Sequence, residues 1–161
     1  MDQLESLCAV LGDETRLCGE IAGVLRDEQR AVVDLRPQAI FACLERREVL
    51  QGELARLVER RRALVVGVAA ERGTTVPSAT ALLPLLPAAP QARLRSRLRA
   101  LRSALLEARG LERQNSLLAG ASLESVGDLL RTLRALVPGA RYDAEAQVAA
   151  PAAAEQIDRH A

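Results

Sequence analysis

Stepping from Leu4 by alternate threes and fours, the chain reads Leu4, Leu7, Leu11, Glu14, Cys18, Ile21, Leu25, Glu28, Val32 and Leu35, apolar at all but the two glutamates. No proline interrupts the run before Pro37. That spacing keeps every position on one side of an α-helix about nine turns long, and a helix with a single apolar stripe has to bury it against other helices. The chain is therefore expected to be a helical bundle or coiled coil whose work is binding rather than catalysis.

Composition agrees. At 161 residues the chain fits one domain, and 49% hydrophobic residues suffice for a core, yet aromatics make up only 1%, namely Phe41 and Tyr142. Leu, Ala, Arg and Glu dominate, the mixture that favours helix over sheet. The formal charge is +1, so no global field points to nucleic acid or an anionic membrane. Asp2 and Glu5 stand where a signal peptide needs a cationic stretch, and no apolar run approaches the roughly 20 residues that span a bilayer. The expected location is the cytoplasm, with no integral membrane segment.

Catalytic material is scarce. His160 is the single histidine and lies near the end, which leaves no triad, histidine-bearing metal site or histidine base. Cys8, Cys18 and Cys43 are widely spaced and form no CxxC pair, so they are expected to act as small buried hydrophobes. Asp13 with Glu14, and Asp27 with Glu28, look like paired carboxylates. A di-metal bundle also needs a histidine three residues after an acid on two helices, and none is present. Glu14 and Glu28 then either set the register of helix pairing or mark where a partner helix ends. No cofactor is expected.

Three helices can be drawn, over about residues 2–33, 36–72 and 91–136. Asp34 and Pro37 mark the first turn, as a favoured cap and a residue tolerated only at the start of a helix. The second helix carries Ile40, Cys43, Leu50, Leu54, Leu57, Leu64 and Val68 on one seam, interrupted by Arg47 and Arg61, whose long stems are expected to flank it with their heads in water. Residues 73–90 hold Pro77, Pro84, Pro87 and Pro90 and form a connector, whose Leu82, Leu83, Leu85 and Leu86 are apolar enough to pack on the bundle end. The third helix has a softer middle, Gly110 to Gly127, where a kink, a second short helix or a plastic surface is expected. The architecture is thus an elongated three-helix antiparallel bundle over residues 1–139 with a mobile tail over 140–161.

Charge is unevenly shared. Residues 1–35 hold eight acids against three arginines, a net of −5, and residues 91–113 hold seven arginines against two glutamates, a net of +5. The two helices can attract each other and fix pairing order. The run RLRSRLRALR could instead grip RNA or phospholipid, although the chain lacks aromatics for base stacking and no nucleic-acid partner is expected.

Two segments carry a resemblance. AVVDLRPQAIFACLERREVLQGELARLVERRRALV is similar to the central helices of FlgN-like flagellar export chaperones: the exit from a helix into Asp34, Arg47 ahead of Leu50, and an arginine near the close of the second helix. ERQNSLLAGASLESVGDLLRTLRALVPGARYD is similar to that family's third helix and tail, with Asn115 before Leu117 and Leu118, a leucine ladder, then Tyr142. The likeness spans about residues 4–146, with Arg47 where lysine is common, Glu112 where asparagine is common and Ala146 where glycine usually follows the tyrosine.

The resemblance implies a cytosolic chaperone that binds the C-terminal amphipathic helices of hook-filament junction proteins, FlgK-like and FlgL-like, and delivers them to the cytoplasmic domain of the export gate. An exposed apolar helix face on such a client would self-associate, and a helical surface can cover it as an added bundle helix. The candidate surface is Asn115, Leu118, Ser122, Ser125, Leu129, Leu133 and Leu136, with Tyr142 as the gate anchor. The competing reading is a self-assembling coiled-coil scaffold with no client. Monomer and homodimer are both open, because the seam that closes a bundle within one chain can close it between two.

Overall fold

The interruptions of the two seams match one another. In the computed structural model, which describes residues 3–76 and 78–136 with side chains through 133, α1 (Gln3–Val33) and α2 (Pro37–Ala70) run antiparallel. Arg61 Nη1 donates to Glu14 Oε2 at 3.0 Å, and Arg47 Nη1 donates to Glu28 Oε2 at 3.1 Å. Each step of fourteen residues up α1 is a step of fourteen back along α2, so the two ion pairs and Leu50, packed beside Leu25 between them, set one register. The arginine heads expected in water are turned inward instead, with the Arg61 and Arg47 side chains only 27% and 24% exposed. Two glutamates in a greasy seam need cations more than the arginines need solvent.

The turn between these helices is closed by backbone bonds: Leu35 N–H donates to Val32 C=O at 3.1 Å and Arg36 N–H to Ala31 C=O at 2.8 Å. This is the Schellman arrangement, and it places Leu35 at φ +52°, a position glycine usually takes. Asp34 does not cap α2 as expected. The cap position is Arg36, without a side-chain cap bond, and Asp34 Oδ2 accepts from Arg36 Nη2 at 2.8 Å. Pro37 opens α2, where its missing N–H costs nothing. At the other end of α2 the same motif recurs, with Gly73 at φ +64° and Thr74 N–H bonded to Ala69 C=O at 3.2 Å.

The connector packs down, as its leucines suggested. Residues Thr80–Leu85 form a short 3-10 helix, η1, that buries Leu82 completely; Leu86 is also buried, Leu83 packs against the same cluster, and Leu85 stays exposed. Gln91 Nε2 donates to Leu83 C=O at 2.9 Å and ties η1 to the next helix. That helix, α3, spans Ala88–Leu136, with Pro90 in its first turn.

Through residue 118 α3 lies against α1 and parallel to it: Leu94 and Leu101 join Leu4, Leu7, Leu11, Val68 and Leu82 in one apolar cluster, while Ala108 and Leu111 join Leu17, Ile21, Leu25 and Leu50 in a second. Because α1 faces both neighbours, it buries a second row, Val10, Leu17 and Ala22, beside the seam. Cys8 and Cys18 are buried in the first cluster, and Cys43 is half-buried.

The fold is all-α, long helices packed lengthwise with no strand among the described residues. By its contacts the chain divides into two compact units, residues 1–118 and 119–161. The softer middle of α3 does not divide it into two helices: one α-helix is continuous through Gly110, Gly120 and Gly127. Each glycine costs on the order of 1 kcal/mol relative to alanine, too little to end a helix that nothing else interrupts. The tail expected beyond residue 139 lies outside the described residues.

Candidate functional site

In the second unit, residues 119–136 continue as helix, and no described side chain there is buried. Leu123, Val126, Leu129, Leu130 and Leu133 are 74%, 54%, 59%, 50% and 48% exposed. At 3.6 residues per turn they share one side of the helix, an arc of about 120°. The opposite side is polar: Glu124, Asp128 and Arg131, with Arg131 ion-paired to Asp128. Ser125 Oγ donates to Ala121 C=O at 3.0 Å and Thr132 Oγ1 to Asp128 C=O at 2.9 Å, bonds that turn both hydroxyls back onto the helix. Five large apolar side chains in three turns, exposed among the described residues, make a surface for another apolar helix face.

The residues expected at the site divide between the units. Asn115, in the first, is half-buried, and its Nδ2 donates to Leu25 C=O at 2.8 Å and to Glu28 Oε2 at 3.4 Å. Since Glu28 also accepts from Arg47, this amide closes a polar node joining α1, α2 and α3. Leu118 is half-buried in the same unit. Ser122, Ser125, Leu129 and Leu133 are exposed in the second unit, Leu136 ends α3, and Tyr142 lies outside the described residues.

Leu123, Val126 and Leu130 were missed. A seam extended from Leu118 passes through Ser122 and Ser125, whereas the apolar side is turned by about 65°, less than one residue step. Scoring every three-four frame over residues 119–136 separately would have found it.

Electrostatics set the first unit apart. Glu14 is the one buried charged side chain among the described residues, 1% exposed, and its Oε1 has no hydrogen-bond partner. Burial raises its carboxyl above the usual range, and Arg61 opposes that shift. The Cys18 thiol, a turn away, is raised by burial and by Glu14. A cleft of about 310 Å³ between α2, the connector and α3 is lined by valines, Leu98, Ala79, Arg61, Arg62, Ser78 and Thr80, with neither carboxylate nor histidine. Among the described residues no three His, Cys, Asp or Glu side chains are grouped to hold a metal, and no helix is long and apolar enough to cross a membrane.

These features define an all-α bundle protein whose helix α3 carries an exposed apolar side. A family model described as FlgN protein matches residues 1–150, and the chain belongs to the FlgN family, a family of flagellar export chaperones. No curated protein and no solved structure gives a significant match.

Proposed function

We propose that this chaperone acts in the cytoplasm on hook-filament junction proteins of the FlgK-like and FlgL-like kind, covering their C-terminal amphipathic helices until export. The observation that carries this is the open apolar side of residues 119–133. A client helix laid along it as an added bundle helix removes both apolar faces from water, the favourable term that has to exceed the cost of association. Ser122, Ser125, Leu129 and Leu133 lie on or beside that side, widened by Leu123, Val126 and Leu130, and Leu136 is proposed to extend it at the end of α3. Asn115 and Leu118 are the proposed binding residues of the first unit, where Asn115 fixes α3 on α1. Tyr142 is the proposed anchor for the cytoplasmic domain of the export gate, reached after loading.

The test is a complex between the full chain and a C-terminal segment of a junction protein, followed by size exclusion. Leu129→Asp with Leu133→Asp should abolish the complex while leaving helical circular dichroism unchanged, since both side chains are already in water. A stable oligomer whose mass ignores the client segment would favour the scaffold reading instead. Secretion unchanged by Tyr142→Ala would remove the gate anchor.

A further inference from the structure

In the first unit, the solvent side of α3 is a single-sign stripe. Arg95, Arg99, Arg102, Arg109 and Arg113 fall three, four or seven residues apart on one line, with Leu106 and Leu117 on the same line, 60% and 70% exposed. From Arg95 to Arg113 the stripe is about 27 Å long. None of these five arginines is in an ion pair or side-chain hydrogen bond with another described residue. The remaining charges of the segment are used elsewhere: Arg93 approaches Glu5 at 3.8 Å, Arg97 lies over Gly12 of α1, and Glu107 pairs with Arg26. Glu112 sits about 100° round the helix from the stripe. Of the arginines of this segment only Arg93 is ion-paired to an acid of α1 among the described residues, and Glu107 pairs in the opposite sense with Arg26. The arginines that give residues 91–113 their net charge of +5 face water.

Like charges at three-four spacing repel, and a folded helix that keeps five of them unpaired has an anionic counterpart or tolerates the strain for nothing. We propose that this stripe adsorbs the protein to an anionic phospholipid surface. A membrane plane supplies phosphates at every register, which suits an array without a carboxylate, asparagine or glutamine to set one. A protein partner would call for an apolar interface core, and the two leucines stand apart, Leu106 between arginines and Leu117 beyond Arg113. Single-stranded nucleic acid would call for aromatic platforms, and no aromatic residue lies on α3. Leu106 and Leu117 can enter the headgroup boundary while the guanidinium groups stay at the phosphates. The stripe places the first unit side-on at the membrane surface.

The test is co-sedimentation of the full chain with vesicles of phosphatidylglycerol and phosphatidylcholine, against phosphatidylcholine alone and against duplex and single-stranded RNA. Binding should require the anionic lipid and weaken as salt rises. Each arginine near such a surface contributes about fivefold to partitioning, so Arg99→Gln, Arg102→Gln and Arg109→Gln together should weaken it on the order of a hundredfold. The control Arg16→Gln, Arg30→Gln and Arg62→Gln removes equal charge from exposed sites off the stripe and should weaken it far less. Equal loss from both triple variants, equal binding to neutral vesicles, or retention by RNA without retention by anionic vesicles would each overturn the proposal. Because the substituted side chains are exposed, unchanged circular dichroism should accompany every variant.

Discussion

Replacing Arg61 by methionine keeps the packing of its stem and strips the one hydrogen-bonding cation from Glu14, a carboxylate 1% exposed in the core. Breaking a buried pair from one side costs about 3–5 kcal/mol, because the remaining charge is left uncompensated. The carboxyl can escape part of that by taking up a proton. From an ordinary value of 4.5, holding it neutral at pH 7 costs about 3.4 kcal/mol at 1.36 kcal/mol per unit, which caps its share. Burial already raises Glu14 in the wild type, so part of that cost is present there, and Arg61→Met should lose about 2–3 kcal/mol at pH 7. For a chain of this size that is a fall of roughly 5–12 °C in Tm.

The pH dependence has a definite sign. A carboxyl whose folded value is raised lends stability that is complete below its unfolded value and is lost as pH rises through the folded value. The deficit of Arg61→Met should therefore shrink by up to about 1.4 kcal/mol per unit as pH falls from 7 toward 4.5. Glu14→Leu combined with Arg61→Met should recover wild-type stability or exceed it, since a packed apolar pair needs no desolvation. Urea titrations at pH 4.5, 5.5 and 7 measure all three proteins. A deficit below about 1 kcal/mol at pH 7, or one that does not change with pH, would refute the assignment of Glu14 as a buried charge held by Arg61.

Two further outcomes follow from packing and backbone geometry. Leu82→Ala empties a fully buried site where η1 meets the bundle and should cost about 2–5 kcal/mol by thermal or urea denaturation; a loss under 1 kcal/mol would mean that the connector does not pack there. Leu35→Gly places glycine where the α1 closure holds a leucine at φ +52°, 85% exposed, and should stabilise the protein by about 0.5–1 kcal/mol in urea, whereas destabilisation would contradict the strain.

Much of the fold was legible because its signals are periodic. The seam from Leu4 to Leu25 is buried as its spacing required, and the prolines around residues 77–90 mark the one connector between α2 and α3. Even the register was visible in part, as glutamates and arginines breaking their seams at the same interval, but which acid meets which base depends on how the turn at residues 34–36 closes. That closure is made by backbone bonds around a leucine, for which composition carries no signal. Val10 and Leu17 escaped notice because a single stripe says nothing about a helix with two neighbours. At the candidate site Leu129 and Leu133 were legible as leucines in a ladder. Leu123, Val126 and Leu130 were not, because the frame was inherited from Leu118, where α3 still lies against α1.

The guest-helix reading is tested most directly by hydrogen exchange on the full chain with and without a junction protein's C-terminal segment. Amides of residues 119–133 belong to a stretch of α3 with no buried side chain and should exchange quickly alone, then slow by on the order of a hundredfold in the complex, while those around Leu7 and Leu50 stay slow throughout. A complex that forms with residues 119–133 still exchanging at their free rate would place the client elsewhere.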